Sequence, residues 1–309
     1  MKVEYYPIVI PTLCRSIHLK RCITSLSQCT YAEQTELVIG LDYPLNEFHR
    51  QGYNEILEYL PKIRGFYKVT IFKRKENCGS AENENLLLEY VWKHYDACII
   101  VEDDTEYAPC FLDFMNKCLI KYKECPQITS VGGYLQPEFY NLTNKKLICV
   151  RGSNAWGYAL WREKCHTILN RPDYYFSNIL SSFKLTFKVL KTYPAMIGML
   201  ITMLQIKGDY DDVKYGLINV LEDKFQIRPS ISLVRNWGHD GSGEHCTVDM
   251  SYASQKISTS SFYDIEDIEL SVIGEIRKRT YWLGFSKNPL VRIKQFLAII
   301  VRYLVYRIC

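Results

Sequence analysis

A short apolar run that ends in charge places the strongest limit on how this chain can fold. The run Cys98 to Val101 is followed at once by Glu102, Asp103 and Asp104. So short a β-branched run, bounded by charge, is typical of a buried parallel strand. Open α/β sheets bind ligands beyond the carboxyl ends of their strands, where these acids would lie. The alternative is a strand that simply runs out into a solvated acidic turn.

Similar strand-like segments lie on either side of this run. They cover Tyr6–Ile10, Leu37–Leu41 and Val69–Phe72, and Ile128–Tyr134 is a further candidate. Between the first two, apolar residues recur at helical spacing, and Ser16 is available as the N-cap of that helix. Strands separated by helical crossovers predict a largely parallel α/β sheet.

Composition excludes several classes of protein. The chain has 309 residues, 48% hydrophobic and 23% charged, which is ordinary for a globular protein. A net charge of +4 is too mild to indicate nucleic acid as a partner. The 12 cysteines are scattered without metal-binding spacing, and no apolar run reaches the ~20 residues of a spanning helix. We therefore expect a cytoplasmic protein with free thiols.

Residues at the predicted strand ends suit a nucleotide diphosphate. Arg15 and Arg74 can neutralise phosphate, and Asp42 can accept a hydrogen bond from a base or ribose. Gly79 permits close approach of backbone to a ligand. Each signal is weak alone, since a residue such as Arg15 is more often a solvated surface residue.

Taken in order, these residues resemble the nucleotide-sugar-binding half of the GT-A fold glycosyltransferases, especially family 2 and relatives with an EDD motif. The resemblance extends over residues 5–125. It is carried by IPTLCR at the first strand, GLDYP at the second, the RKENCG turn after the third, and EDD after the fourth. The last segment is similar to the family's DXD-type metal motif.

The resemblance implies an α/β fold with a GT-A-type, mostly parallel sheet flanked by helices, an acceptor-binding C-terminal part and a helical tail. It divides the chain into a nucleotide-sugar-binding half (1–125), an acceptor-binding half (126–260) and a tail (261–309). The donor would be a UDP-sugar. The implied donor-binding residues are Thr12, Arg15, Asp42, Arg74, Asn77, Gly79, Glu102 and Asp103.

A divalent cation is the implied cofactor. In the family the last acid of the motif touches the metal, so Asp104 is the expected ligand of Mn²⁺ or Mg²⁺. Such an ion stabilises the negative charge that grows on the leaving diphosphate. It binds through one or two carboxylates plus substrate phosphates, which suits a small acidic cluster.

Two further segments are candidates for the donor and acceptor sites. Trp156, Tyr158 and Trp161, around Gly157, can form an apolar platform for a sugar, or they can be core. In the family a Trp-Gly segment lines the acceptor site, which makes Trp156, Gly157 and Trp161 the implied acceptor residues. The glycine-rich loop after Asn236 is similar to the family's loop that closes over the diphosphate. By that resemblance His245 touches metal or phosphate; otherwise it is an idle histidine in a surface loop.

An acidic segment before a predicted helix is the candidate for the general base. Asp211 and Asp212 precede the pattern Val213, Leu217, Val220. Acids at a helix start are favoured by the helix dipole alone. Inverting GT-A enzymes, however, place their catalytic aspartate in a comparable position, which makes Asp212 the first choice and Asp211 the reserve.

The tail after Ser286 predicts an amphipathic helix. Asn288 can cap it and Pro289 suits its first position. An apolar stripe then recurs at helical spacing: Leu290, Ile293, Leu297, Ile300, Val301, Leu304 and Ile308. The stripe can pack on the protein's own core, or it can lie on the anionic inner face of a membrane as a peripheral anchor.

The stretch Leu185–Leu204 likewise predicts either buried helices or a membrane-facing flap.

The expected function is therefore metal-dependent transfer of one sugar, a hexose or N-acetylhexosamine, to a glycan or lipid-linked glycan acceptor with inversion, in surface or lipid-linked polysaccharide synthesis. Two alternatives stay open. A sugar-phosphate nucleotidyltransferase would share the sheet and the metal, but it should open with a glycine-rich phosphate loop, and IPTLCRSIHL has no glycine. A non-catalytic glycan-binding protein would need none of the acids.

Overall fold

The computed structural model describes residues 5–208, 210–243, 248–268, 270 and 274–308. The strands are β1 (Ile8–Thr12), β2 (Glu36–Leu41), β3 (Lys68–Lys73), β4 (Ala97–Ile100), β5 (Thr105–Tyr107), β6 (Ile128–Gly132), β7 (Leu147–Val150), β8 (Tyr158–Trp161), β9 (Phe225–Pro229) and β10 (Val234–Asn236). The helices are α1 (Ser16–Ser27), α2 (Glu47–Tyr59), α3 (Ser80–Val91), α4 (Phe111–Lys121), α5 (Arg162–Leu169), α6 (Asp173–Ser181), α7 (Phe183–Thr192), α8 (Ala195–Ile206), α9 (Asp211–Leu221), α10 (Gly274–Tyr281) and α11 (Pro289–Ile308).

One sheet runs through the molecule. Its eight strands lie in the order β3-β2-β1-β4-β8-β6-β9-β7. Six of them point the same way, while β8 and the edge strand β7 are antiparallel to their neighbours. A separate two-stranded antiparallel ribbon joins β5 to β10. The predicted fold class, an α/β protein with a mostly parallel sheet flanked by helices and a helical tail, is confirmed.

Helices cover both faces of the parallel strands. Along β1, Ile8 and Ile10 pack in the cluster formed with α1, α2 and α4, whereas Val9 packs in the cluster formed with α3. Successive side chains of a strand point to opposite faces, so a sheet covered on both sides needs an unbroken apolar run. This explains why β4 shows no polar alternation before its acids.

The predicted strands are confirmed, with boundaries shifted by one or two residues; β1, for example, is Ile8–Thr12 instead of Tyr6–Ile10. The predicted N-cap role of Ser16 is wrong. Ser16 is the first residue of α1, and its hydroxyl donates to the Glu55 carboxylate. Arg15 occupies the cap position without capping the helix, because a guanidinium group has no acceptor for a backbone N–H.

A layer of helices, α6 to α8 with α10 and α11, packs around a core of its own beside β7. Pro194 separates α7 from α8, and α8 buries most of its side chains, so the interpretation of this part of the stretch 185–204 as a buried helix is confirmed. Asn288 accepts a hydrogen bond from the backbone N–H of Leu290 at 3.0 Å, as expected of the cap of α11. None of the helices in the described ranges is long and apolar enough to cross a membrane.

Candidate active site

Buried carboxylates and an arginine meet where β1 and β4 end. The Thr12 hydroxyl donates to Oδ2 of Asp103 at 2.8 Å. Arg15 donates to Oδ2 of Asp104 at 2.7 Å and also pairs with Asp103. Because β1 and β4 are parallel neighbours, the turn after β1 and the acids after β4 lie at the same sheet edge. The structure thus brings together four of the residues singled out in the sequence.

The charges at this edge are only partly balanced. Burial raises the pKa of Asp103, although the Arg15 guanidinium opposes that rise. Burial, together with the Asp104 carboxylate, raises the pKa of Glu102 to about 8. Arg15 pairs directly with Asp103 and Asp104 and acts on Glu102 only at longer range. Among the residues that the structure describes, Glu102 therefore has no cation in direct contact.

The β5–β10 ribbon covers Asp104. The backbone N–H of Trp237 donates to the Asp104 carbonyl at 2.8 Å, and the Asn236 amide lies 3.4 Å from Oδ1 of Asp104. A Cβ atom on Gly238 would lie 1.9 Å from Oδ2 of Asp104, so only glycine fits there. This ribbon makes the sequence after β10 part of the site. His245, the second expected metal ligand, falls outside the described residues.

The donor atoms at this edge fit a hard divalent cation held by few protein ligands. Carboxylate oxygens of Asp104 and Glu102 are the atoms that Mg²⁺ and Mn²⁺ prefer. Burial and the neighbouring carboxylates raise the pKa of Glu102, and a bound cation would favour its charged form. Within the described ranges, no three His, Cys, Asp or Glu side chains are grouped so that they could hold a metal ion. Phosphates or water would have to supply the remaining ligands.

A cavity of about 650 Å³ opens beside Arg15. It is bounded by the start of α1, the start of α2 and the segment after β10. His18 and Arg21 also line it, and the Arg21 guanidinium lies 4.0 Å from the centre of the Trp237 ring. The Asp240 carboxylate also lines the cavity and pairs with His18 at 3.0 Å, so the guanidinium groups of Arg15 and Arg21 are the part of the lining that suits an anionic ligand. Arg21 carried no motif that would identify it in the sequence, whereas Trp237 lies in the loop after Asn236 that the resemblance singled out.

Asp42 holds the turn that follows β3. Its carboxylate accepts hydrogen bonds from the backbone N–H groups of Cys78 and Gly79, at 3.0 and 2.9 Å, and from the Asn77 amide at 3.2 Å. Gly79 has a φ of 82°, and no atom lies within 4 Å of where its Cβ would be. Asp42 therefore shapes a turn whose outer side is open to a ligand.

Arg74, another expected donor residue, is held by Asn83. Its Nε donates to the Asn83 side chain at 2.9 Å, and Asn83 in turn donates to the Gly40 carbonyl at 2.8 Å. The guanidinium is thereby fixed at the end of β3, and the side chain stays half-buried.

A second group of acids lies near Glu102. Glu84, on α3, accepts a hydrogen bond from the Tyr158 hydroxyl at 3.2 Å. Burial and the nearby Asp211 carboxylate raise the pKa of Glu84 to about 7, and Glu84 in turn contributes to the raised pKa of Glu102. Sequence reasoning missed Glu84, and it considered Tyr158 only as part of an apolar platform for a sugar. Only the packing of α3, β8 and α9 brings these two residues together.

The two candidate bases face different surroundings. Asp211 interacts electrostatically with Glu84. Asp212 lines a cavity of about 530 Å³ between α8 and α11, shared with Ala298 and Arg302. Burial raises the pKa of Asp212. Of the two, Asp211 is on the side of the strand-end acids.

The tryptophans expected on the acceptor side also separate. Trp156 is half-buried in an aromatic cluster, with ring centres 4.6 Å from Tyr134 and 5.2 Å from Tyr252. Trp161 is buried, and its indole N–H donates to the Leu119 carbonyl at 2.9 Å. It pairs with Ala97 at the start of β4, the end remote from the acids, so the structure does not bring it to the site.

Gly157 has a φ of 65° and packs on side chains of the protein. A Cβ there would lie 2.8 Å from the Tyr107 ring and 3.1 Å from Val234. The space next to Gly157 is therefore filled by core residues, and its conformation sets the turn that leads from Trp156 into β8.

Comparisons with known proteins reach only part of this fold. No protein-family model matches the chain, and no curated protein matches it. A mannosyltransferase from Pyrobaculum calidifontis, solved with GDP-Man and Mn²⁺, is similar at 14% identity over 53% of this chain and 46% of its own, with a TM-score of 0.38. S. aureus TarS is similar at 10% identity over 52% of this chain and 29% of its own (TM-score 0.37).

TarS residues 1–349 in complex with UDP give 13% identity over 52% of this chain and 48% of that chain, with a TM-score of 0.36. The similar region thus spans about half of this chain and half or less of each of these structures. Likenesses this distant do not indicate what the chain binds.

Proposed function

We propose that this protein is a metal-dependent glycosyltransferase that moves one sugar from a nucleotide-diphosphate donor, a UDP-sugar, to a glycan hydroxyl. The observation that carries the proposal is the grouping of Glu102, Asp103 and Asp104 with Arg15 at the end of β4, beside an arginine-lined cavity. Buried like charges are costly for a free protein, and an anionic ligand bound with a cation would relieve that cost.

The donor would lie across the ends of β1 to β4. Arg15 and Arg21 suit the diphosphate, because guanidinium groups match phosphate oxygens. The open turn at Gly79, held by Asp42, would lie on the nucleotide side. When bound, Mn²⁺ or Mg²⁺ would be held by Asp104 and Glu102 and would stabilise the charge of the leaving diphosphate. His245 remains a proposed further ligand.

The general base in this proposal is Asp211. In an inverting transfer the anomeric C–O bond to the diphosphate breaks, the acceptor oxygen bonds from the opposite side, and the base takes the acceptor proton. The base must therefore reach the acceptor hydroxyl on the side of the anomeric carbon opposite the diphosphate, next to the donor-binding edge of the sheet. Asp211 is coupled through Glu84 to Glu102, whereas Asp212 lines the cavity between α8 and α11. The proposed base, Asp211, was the reserve in the sequence analysis, where Asp212 was the first choice.

The acceptor would be a glycan or lipid-linked glycan of surface polysaccharide synthesis. The half-buried ring of Trp156, flanked by Tyr134 and Tyr252, is the proposed platform for a hexose or N-acetylhexosamine. Trp161 and Gly157 would act indirectly, by holding the strand and turn that present Trp156.

The test is release of UDP from a panel of UDP-sugars, with Mn²⁺ and with EDTA, by wild type, Asp104→Ala and the control Asp267→Ala. Asp267 is an exposed carboxylate that pairs with Lys121. We expect Mn²⁺-dependent release by wild type and the control, and loss of it in Asp104→Ala. Equal release by Asp104→Ala would contradict the metal assignment. No release from any donor, with glycan binding intact, would favour a non-catalytic glycan-binding protein.

A further inference from the structure

The apolar stripe of α11 is not packed on the protein's own core. Six of its side chains are half or more exposed to solvent, from 50% for Leu304 to 85% for Ile308. We call this set the α11 surface: Leu290, Ile293, Leu297, Val301, Leu304 and Ile308. Residues three, four and seven apart lie on one side of a helix, so the set forms a continuous strip.

The opposite side of α11 is firmly seated. Tyr303 is buried at 5% exposure, and Ile299 packs against Gly198 of α8. Arg302 donates to the Thr202 hydroxyl of α8 at 3.0 Å. The helix is thus held in one orientation, and its exposed strip is a feature of the folded state.

A second apolar patch adjoins the end of α11. Phe183 and Phe187, one helical turn apart on α7, are 69% and 66% exposed. The guanidinium of Arg307 lies 4.3 Å from the Phe183 ring, and it also donates to the Ser181 carbonyl. Arg307 therefore joins the aromatic pair to the α11 surface. Exposed aromatic and aliphatic side chains this close together mark an interaction site.

Charge indicates what covers this surface. The helix α11 carries no acidic residue. Of its four basic residues, Arg302 is bonded to α8 on the seated side and Arg292 donates to the Ser286 carbonyl, which leaves Lys294 and Arg307 beside the exposed strip. Two copies of such a surface would place like charges opposite each other, which disfavours self-association. An apolar strip among basic residues is instead typical of a helix that lies in the interface of an anionic bilayer.

We propose that the α11 surface, with Phe183 and Phe187, docks this protein on an anionic lipid bilayer. The helix lies on the membrane and does not cross it, in agreement with the lack of a spanning helix in the described ranges. The proposal goes beyond glycosyl transfer and does not depend on it.

The experiment is co-flotation of the full-length protein with vesicles of phosphatidylcholine alone and with vesicles of equal parts phosphatidylcholine and phosphatidylglycerol. The main variant is the double substitution Leu297→Glu and Val301→Glu. Its matched control is Ile120→Glu on α4, where the exposed fraction of 54% is close to the 55% and 58% of the two tested positions. A second variant, Lys294→Gln, is matched by Lys62→Gln outside the helical layer.

We expect wild type and both controls to float with the phosphatidylglycerol vesicles. The double variant should lose more than about tenfold in vesicle affinity, and Lys294→Gln about fivefold on the anionic vesicles only, since each surface charge near an anionic bilayer contributes a factor of this size. Size-exclusion chromatography with light scattering reports the oligomeric state.

Three outcomes would overturn the proposal. The first is that wild type fails to float, and the second is that the double variant floats as well as wild type. The third is a wild-type dimer that the double variant converts to a monomer, because the surface would then bind a second copy of the chain. Near-ultraviolet circular dichroism checks that the variants keep the native fold.

Discussion

Two regions of this molecule invert the usual placement of polar and apolar side chains, and they do so in opposite directions. At the end of β4, Asp103 and Asp104 are buried charges, at 4% and 8% exposure. On α11, apolar side chains such as Val301 are exposed to solvent. Both arrangements are uncommon in soluble proteins.

The two regions differ in what contacts their unusually placed side chains. The buried aspartates share Arg15, and Thr12 donates to Asp103, so the chain itself partly balances their charge. The α11 surface has its exposed side turned to solvent. The acids at the end of β4 thus depend on a specific geometry. The α11 surface acts only through its apolar area and positive charge. Asp211 is on the side of the acids at the end of β4, whereas its neighbour Asp212 lines the cavity between α8 and the seated side of α11.

The largest predicted effect is a difference in turnover between substitutions at Asp211 and at Asp212. Asp211→Asn should lower turnover by about 10²–10⁴-fold with little change in donor affinity, the usual contribution of a general base. Asp212→Asn, which changes a carboxylate in the helical layer, should retain most of the activity. Steady-state kinetics with the best donor of the panel measures both. The reverse order would assign the base to Asp212, and normal turnover in both would place it elsewhere.

Breaking the ion pairs of the acid region should cost stability. Arg15→Ala leaves two buried carboxylates without their cation, so we expect a loss of about 3–5 kcal/mol in the free energy of unfolding. Arg15→Lys should lose less, because it keeps the charge but cannot bridge both carboxylates with a planar fork. Urea denaturation in EDTA measures both. A loss below about 1 kcal/mol in Arg15→Ala, the range of a surface pair, would contradict a buried pair.

Glu84 should make stability depend on pH. Its pKa is raised in the fold from 4.5 to about 7, so the folded state favours the protonated form. Stability from this group is full below pH 4.5 and declines as the pH rises through 7.

Glu84→Gln, which mimics the neutral acid, should therefore gain about 1–2 kcal/mol relative to wild type at pH 8, a value reduced for partial solvent screening. At pH 5 the free energies of unfolding of wild type and Glu84→Gln should be nearly equal. The matched control is Glu89→Gln, an exposed glutamate on the same helix. Urea denaturation at both pH values in EDTA measures the gain, and an equal gain at both would exclude a raised pKa.

The smallest effect is expected on α11. Leu297→Ala should change the free energy of unfolding by less than about 0.5 kcal/mol, because the side chain is already exposed. Leu200→Ala in α8, where the side chain has 0% exposure, should cost about 2–5 kcal/mol. A cost for Leu297→Ala close to that for Leu200→Ala would show that the α11 surface is packed in solution.

Much of the strand-end region was predictable because it is local. The apolar run before Glu102 and the alternation of strands and helices predicted the parallel sheet, and parallel neighbours bring Thr12, Arg15 and the acids to one edge. The same pattern could not separate Trp156 from Trp161. Both are tryptophans near β8, yet they lie at opposite ends of that strand.

The pair Asp211–Asp212 was ambiguous for a different reason. Successive residues at a helix start point in directions about 100° apart, so one faces the sheet and the other does not. Which one does so depends on the rotation of α9 against α3 and α8, and that rotation is set by contacts between residues far apart in the chain. The sequence did not indicate Glu84 for the same reason, since its position also depends on contacts between residues far apart in the chain.

The amino-acid sequence by itself determined the periodicities: the sheet strands, the acids at the end of β4, and the amphipathic α11 with its Asn288 cap. Each of these features depends on side chains that lie within a few residues of one another in the sequence. Only the tertiary structure decided which acids share a site, and that the α11 stripe faces solvent while Tyr303 faces α8. A periodicity shows that a helix has an apolar side, but what covers that side is decided by the free energy of packing against distant segments, which no local pattern records.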